Sequence, residues 1–137
     1  MAKILVIEDN AANMKLIALL LQNAGHAAIS AADAESGLAL AGAEQPDLIL
    51  MDIQLPGMDG LAATALLKRD PATAAIPVIA LTVMAMKADQ EKTRAAGCDA
   101  YIAKPLRYHE LYAAIDALLA RSELLRASKT SSSRPLP

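Results

Sequence analysis

The stretch "LILMDIQLPGMDG", residues 48–60, decides the fold class. Its four leading apolar residues are typical of a buried strand, and "LPGMDG" carries the Pro, Gly and Asp residues typical of a turn. Asp52 stands at the junction, where a carboxylate loses hydration. That loss costs free energy unless another group pairs with the carboxylate. Two interpretations are open for this stretch alone: Asp52 caps the turn, or it belongs to a functional site.

Similar short apolar runs occur along the chain, and segments with helical spacing separate them. Strands are predicted at "KILVI" (3–7), "AAIS" (27–30), "LILM" (48–51), "PVIAL" (77–81) and "AYIA" (100–103). Strands that alternate with helices predict a parallel sheet covered on both faces, because parallel neighbours need crossover connections. We therefore expect a doubly wound α/β domain.

Capping residues indicate where the helices begin and end. Asn10 can cap a first helix, and Gly25 suits the position after its end. The other helices are predicted at 33–43, 59–69, 86–96 and 107 to about 125. The second of these contains Gly37, which weakens a helix by about 1 kcal/mol relative to Ala.

Composition favours one globular domain over residues 1–125. The chain has 137 residues, 55% of them hydrophobic, and its three aromatic residues are all Tyr, so the core should be aliphatic. A net charge of −2 provides no broad basic surface for nucleic acid, and no apolar run approaches the roughly twenty residues of a membrane span. We expect a cytoplasmic protein that binds neither nucleic acid nor membrane. Residues 126–137, rich in Ser and Pro, are predicted to be a disordered tail or the start of a linker.

Polar residues follow the predicted strands at the edge where ligands bind in open parallel sheets. The first strand precedes Glu8 and Asp9, the third Asp52, the fourth Thr82 and the fifth Lys104. Each residue alone has an ordinary explanation as a cap or a solvated charge. Together they indicate a site that binds a cation. Two carboxylates about 5 Å apart repel by roughly 3 kcal/mol at an effective dielectric of 20, and a cation is needed to offset this repulsion. An oxygen-only cluster of this kind suits Mg²⁺, with Asp9 and Asp52 as the natural direct ligands.

Four segments carry a family resemblance. "ILVIEDN", "PDLILMDIQLPGMDG", "PVIALT" and "GCDAYIAKP" resemble the receiver domain of two-component response regulators, over roughly residues 3–121. Within that family, the short chain is most similar to single-domain regulators of the DivK type and to receivers attached to hybrid histidine kinases. The resemblance implies a flavodoxin-like (βα)5 fold with strand order 2-1-3-4-5.

The resemblance also assigns the site. It implies that Asp52 accepts a phosphoryl group from a histidine kinase or a histidine phosphotransfer protein. Mg²⁺ would be held by Asp9, Asp52 and the backbone carbonyl of Gln54, with Glu8 acting through metal-bound water. Lys104 would stabilise charge on the moving phosphoryl oxygens.

Switching residues are implied in the same way. After phosphorylation, Thr82 would move toward the phosphoryl group and Tyr101 would turn inward. The Lys104–Pro105 junction resembles one that is cis in the family.

One position departs from the family pattern. Receivers commonly have a small residue after the threonine, whereas this chain has Val83, whose branched side chain we expect at the mouth of the site. Gln54 and Met84 stand where side chains obstruct or orient the water that hydrolyses the acyl phosphate. These three residues are therefore expected to control access to the phosphorylation site.

The implied function is a signalling switch, not an enzyme, although it assists its own phosphorylation and dephosphorylation. The output is expected to be binding of a protein partner through residues 84–111 and the fifth helix, by a monomeric chain. A phosphorelay intermediate is an alternative that shares the same site. An aspartyl phosphatase of the haloacid-dehalogenase type would need an Asp where Gln54 stands. A nucleotide switch would need glycines that "EDNAAN" lacks.

Overall fold

The computed structural model describes residues 2–83 and 87–132, and strands and helices alternate throughout this part of the chain. The strands are β1 (Lys3–Ile7), β2 (Ala27–Ala31), β3 (Leu48–Asp52), β4 (Val78–Thr82) and β5 (Ala100–Ala103). The helices are α1 (Ala11–Asn23), α2 (Ala34–Glu44), α3 (Gly60–Arg69), α4 (Lys87–Ala96) and α5 (Tyr108–Ser132). The predicted alternation is confirmed, and the predicted start of α4 at Met86 lies outside the described residues.

All strand pairs are parallel, and the sheet order is β2-β1-β3-β4-β5. The fold class and the strand order implied by the resemblance are both confirmed. Asp52 and Thr82 are the last residues of β3 and β4, where the sequence placed them just after the strands. Because every strand runs in the same direction, the carboxyl ends of all five lie along one edge of the sheet.

The core has one layer on each face of the sheet, because successive strand residues point to opposite sides. One layer joins the sheet to α2 and α3 and includes Leu5, Ile7, Ile49, Met51, Val78, Ala80, Ala41, Ala63 and Leu67. The other joins it to α1 and α5 and includes Ile4, Val6, Leu48, Leu50, Ile79, Leu81, Ile17, Leu21, Leu111 and Ile115. Neither cluster of described residues contains an aromatic side chain, as the composition predicted.

Three helix starts have the caps that the sequence predicted or allowed. Asn10, Asp33 and Asp59 each accept a hydrogen bond from the backbone N–H three residues on, at 2.7–2.9 Å. At the other ends, Gly25 follows α1 with a φ of +85° and Gly97 follows α4 with a φ of +106°. These left-handed conformations suit glycine, which explains why the two helices end there.

Gly37 lies in the middle of α2, where the sequence indicated only a weakened helix. A Cβ atom at this position would lie 2.7 Å from Cγ1 of Ile7 on β1, well inside van der Waals contact. Gly37 therefore allows α2 to pack closely on the sheet.

The last helix is longer than predicted. It runs past residue 125 to Ser132, and so continues into residues 126–132 of the predicted disordered tail or linker. The physical reason is local: "ELLRA" (123–127) consists of good helix formers, and no Gly or Pro occurs after Pro105 until Pro135. The domain boundary at residue 125 stays a prediction. Within residues 2–83 and 87–132, no helix has the length and apolar character needed to cross a membrane.

Asp99 links three elements at the amino edge of the sheet. Its Oδ2 accepts from the Val78 backbone N–H at 2.9 Å and lies 3.2 Å from Lys68 Nζ, while its Oδ1 accepts from Arg121 at 2.8 Å. Burial alone would raise the pKa of Asp99. The hydrogen bonds from Val78 and Arg121 and the charge of Lys68 outweigh that effect, so the pKa lies below its ordinary value of 3.8.

We expect Asp99→Asn to lower the free energy of unfolding by about 1–2 kcal/mol at about pH 7, because charged hydrogen bonds are lost. A lowered folded-state pKa stabilises the fold above the unfolded-state value, and that contribution disappears as the pH falls through the folded-state pKa. The difference between the two proteins should therefore shrink below about pH 4. Urea unfolding of both proteins, from about pH 7 to below about pH 4, measures this difference in unfolding free energy. Asp116→Asn, at an exposed position of α5, is the matched control and should change little.

Candidate functional site

Three carboxylates meet at the carboxyl edge of the sheet. Glu8 and Asp9 directly follow β1, and Asp52 ends the neighbouring strand β3. Each contributes one oxygen atom to a group in which all the oxygens lie within 4.8 Å of one another. Glu8 and Asp52 are buried, whereas Asp9 is exposed. The cluster is thus open to solvent on the side of Asp9.

Lys104 brings the positive charge. Its Nζ atom lies 3.2 Å from Oε1 of Glu8, 3.4 Å from Oε2 of Glu8 and 3.3 Å from Oδ2 of Asp52. The backbone N–H of Lys104 donates to the Thr82 carbonyl at 2.7 Å, which places the residue directly beyond the end of β5. The cluster has three carboxylates and Lys104 contacts two of them, Glu8 and Asp52, so negative charge is in excess at this edge.

Glu8 is the buried member of this cluster whose pKa is raised, first of all by its burial. Its carboxylate is inaccessible to solvent, and it accepts a hydrogen bond from Nδ2 of Asn13 at 2.8 Å in addition to the Lys104 contacts. Burial and then the side-chain hydrogen bond with Asp52 raise the pKa of Glu8 to about 7, although Asn13 and Lys104 both act to lower it. A raised pKa is expected where carboxylates are crowded together and desolvated.

Asp52 uses its two oxygens differently. Oδ1 accepts from the backbone N–H of Gln54 at 3.0 Å, which is how an Asp stabilises a turn, and Oδ2 lies beside Lys104. Both interpretations of Asp52 therefore describe part of its environment. The side chain holds the turn with one oxygen and joins the charged cluster with the other.

The comparisons with known proteins agree with this arrangement. Residues 4–116 match the family described as "Response regulator receiver domain". The chain belongs to this family. Receiver domains act as signalling switches in two-component systems, and this receiver domain has the acidic cluster, Lys104 and Thr82 at one edge of the family's fold.

Relatives cover most of this receiver domain. The polar-differentiation response regulators DivK of Brucella anthropi and Brucella ovis are each 48% identical to it over 103 residues, which are 75% of this chain and 84% of theirs. The predicted resemblance to receivers of the DivK type is confirmed.

Solved structures agree on the fold. A response regulator from Chloroflexus aurantiacus has a TM-score of 0.84 at 28% identity, with 87% of this chain and 98% of that one covered. The receiver domain of the sensor histidine kinase PA1611 from Pseudomonas aeruginosa has a TM-score of 0.81 at 33% identity, with the same coverage. The latter has a magnesium ion coordinated in its active-site cleft.

The predicted switch residues lie on neighbouring strands. Thr82 is buried at the end of β4, and Tyr101 lies on β5 with 38% of its surface exposed. The register pairs Thr82 with Ala103, so the two strands end side by side. The Lys104–Pro105 bond is cis, as the resemblance implied.

Two of the three predicted access residues can be located. Val83 is 55% exposed, Gln54 is exposed, and Met84 lies outside the described residues. Gln54 and Thr82 line a cavity of about 310 Å³ between the β3–α3 loop and α4, together with Ile53, Asp59, Leu61, Asp89, Lys92 and Thr93. Their control of access stays a prediction.

Sequence reasoning missed two residues of the site. Asn13 contacts Glu8, and the available signal was a polar residue in the first turn of the helix that follows an acidic pair. Gly60, the first residue of α3, was missed as well. A Cβ atom there would meet the Asp52 carbonyl oxygen and lie 2.8 Å from Cα of Ile53, so only glycine lets α3 begin directly against the backbone of the site.

We expect Gly60→Ala to destabilise the protein by about 1–3 kcal/mol, because backbone atoms must move to admit the methyl group. Resonances of Asp52 and Ile53 should shift with it. Gly42→Ala is the matched control, since a Cβ atom at Gly42 in α2 meets nothing within 4 Å and should stabilise the helix slightly. Equal unfolding free energies for the two variants would contradict the steric argument.

Proposed function

We propose that this receiver domain is a phosphorylation switch in which Asp52 takes a phosphoryl group from a phosphohistidine. The donor is a histidine kinase or a histidine phosphotransfer protein. One observation carries the proposal: the buried Asp52 carboxylate lies 3.3 Å from Lys104 Nζ inside a three-carboxylate cluster. An Asp oxygen attacks phosphorus and forms the new P–O bond, while the P–N bond breaks and its electron pair stays on the imidazole nitrogen.

The chain's own residues supply positioning and charge. The Gln54 backbone N–H holds one oxygen of Asp52, which fixes the direction of the carboxylate before the donor arrives. The Lys104 ammonium stands where negative charge accumulates on the moving phosphoryl oxygens. Such preorganised electrostatics and positioning provide most of the catalysis in phosphoryl transfer.

The donor set also fits Mg²⁺. The three carboxylate oxygens lie within 4.8 Å of one another, all the donors are hard oxygen atoms, and one side is exposed at Asp9. In the proposal, Asp9, Asp52 and the Gln54 backbone carbonyl would hold the ion, and Glu8 would act through metal-bound water. When bound, Mg²⁺ supplies positive charge toward the phosphoryl oxygens. The magnesium ion in the related PA1611 receiver supports this assignment.

Phosphorylation then changes the surface that partners contact. A phosphoryl group adds negative charge and acceptor oxygens next to the end of β4, where Thr82 ends the neighbouring strand. In the proposal Thr82 moves toward it, and the half-exposed Tyr101 turns inward on β5. The resulting change on residues 84–111 and α5 alters affinity for a protein partner. Moving such a switch from 1:99 to 99:1 requires a differential affinity of about 5.5 kcal/mol.

The proposed setting is the cytoplasm. Cys98 is free and buried, which suits a reducing compartment.

We expect a small phosphodonor with Mg²⁺ to add one phosphoryl group to the wild-type chain and none to Asp52→Asn, because the amide is not a nucleophile. Intact-mass measurement checks this. Asp116→Asn, at an exposed position of α5, should be labelled like the wild type. Undiminished labelling of Asp52→Asn would reject the assignment of the acceptor.

The switch is tested separately by amide chemical shifts. On phosphorylation, the largest shifts beyond the site itself should fall in β4, α4, β5 and the start of α5. Thr82→Ala should still accept the phosphoryl group, because Asp52 is intact, yet lose most of the shift at Tyr101. Shifts that spared residues 87–111 and affected α1 instead would contradict the proposed surface.

A further inference from the structure

We propose that Asn13 is a positioning residue of the metal site: its side-chain amide fixes the direction of the buried Glu8 carboxylate and thereby sets the affinity for Mg²⁺. The inference rests on the proposed function, because it takes Mg²⁺ to bind at the acidic cluster. Asn13 acts through Glu8 and is not itself a ligand.

The geometry of the contact is specific. Nδ2 of Asn13 donates to Oε1 of Glu8 at 2.8 Å, and the Glu8 side chain has no solvent-accessible surface. A carboxylate without accessible surface takes its hydrogen bonds from protein groups or ordered water, not from bulk solvent. The contacts to Glu8 described above come from Asn13, Lys104 and Asp52, so removal of the Asn13 amide takes away a neutral donor that nothing replaces from solvent.

The helix holds Asn13 in place independently of this contact. The backbone N–H of Asn13 donates to Oδ1 of the cap residue Asn10 at 2.9 Å, and the Met14 N–H donates to the Asn10 carbonyl at 2.9 Å. The cap therefore uses only the backbone of Asn13, which any residue supplies. The side-chain amide contributes its hydrogen bond to Glu8 and can be removed while the helix start is kept.

The residue type also matters. Lys104 contacts both oxygens of Glu8, at 3.2 and 3.4 Å, and it also forms an ion pair with Asp52. The Asn13 amide adds a second direction of constraint on Oε1 without adding a charge that would compete with a cation. A carboxylate at this position would repel Glu8, and an apolar side chain would let Glu8 rotate toward Lys104. Partners of this kind, next to the ligands of a metal, typically change affinity or activity 10–100-fold when mutated.

The test compares wild type, Asn13→Leu and Asn23→Leu by titration with MgCl2, followed through the amide resonances of Asp9 and Gln54. Leucine is close in size to asparagine and favours helix, so the fold should be kept. Asn13→Leu should bind Mg²⁺ at least about 10-fold more weakly. Asn23→Leu, the same substitution at an exposed position of the same helix, should bind like the wild type.

The possible results separate the two proposals. Equal affinity of Asn13→Leu and wild type would overturn the role of Asn13 and leave the proposed function standing. A wild-type chain whose resonances do not respond to Mg²⁺ would overturn both. A loss shared by Asn23→Leu would also overturn the inference, because it would mark a general effect on α1.

A double-mutant cycle shows whether Asn13 acts through Glu8. In a Glu8→Gln background, Asn13→Leu should cost little further Mg²⁺ affinity, since the carboxylate that it positions is gone. Losses that add in full would mean that Asn13 acts by another route, and would reject the inference even if the single variant binds weakly.

Discussion

The ion pairs of Lys104 with Glu8 and Asp52 are the constraint on which the site depends. Two carboxylates at the ends of neighbouring strands are almost entirely withdrawn from water, and one ammonium group stands between them at 3.2–3.4 Å. Removing one partner of such a buried ion pair typically costs about 3–5 kcal/mol, because solvent cannot take the place of the lost partner and the remaining charge is uncompensated. The arrangement is stable only while β1, β3 and β5 hold these three side chains in register.

The core explains how that register is kept. The middle strands β1, β3 and β4 are buried on both faces by aliphatic side chains, and glycines let helices come close where the site needs it. Gly37 admits α2 against β1, and Gly60 starts α3 against the backbone of Asp52. A dense, aliphatic platform of this kind resists small displacements, so the carboxyl edge is a rigid frame for charged groups that would otherwise separate.

Much of this could be predicted from local sequence patterns. Apolar runs and caps such as Asn10 and Asp59 report directly on strands and helix starts, and parallel strands necessarily bring their following residues to one edge. The roles of Gly37, Gly60 and Asn13 could not be found in this way, because each depends on a distance between elements that only packing determines. The predicted end of α5 at about residue 125 was wrong, because the helix formers of "ELLRA" carry the helix into the Ser-rich segment that follows.

The two oxygens of Asp52 have different partners, so one side chain both holds a turn and joins the charged cluster. Oδ1 is held by the Gln54 backbone N–H, whereas Oδ2 lies beside the Lys104 side chain. In the proposed reaction Lys104 turns toward the phosphoryl oxygens and leaves part of its contact with Glu8. Glu8 is then a buried carboxylate with less positive charge beside it, and the Asn13 amide is the donor that stays in place. In this proposal the neutral Asn13 donor on α1 stays with Glu8 while the Lys104 ammonium beyond β5 serves the phosphoryl group.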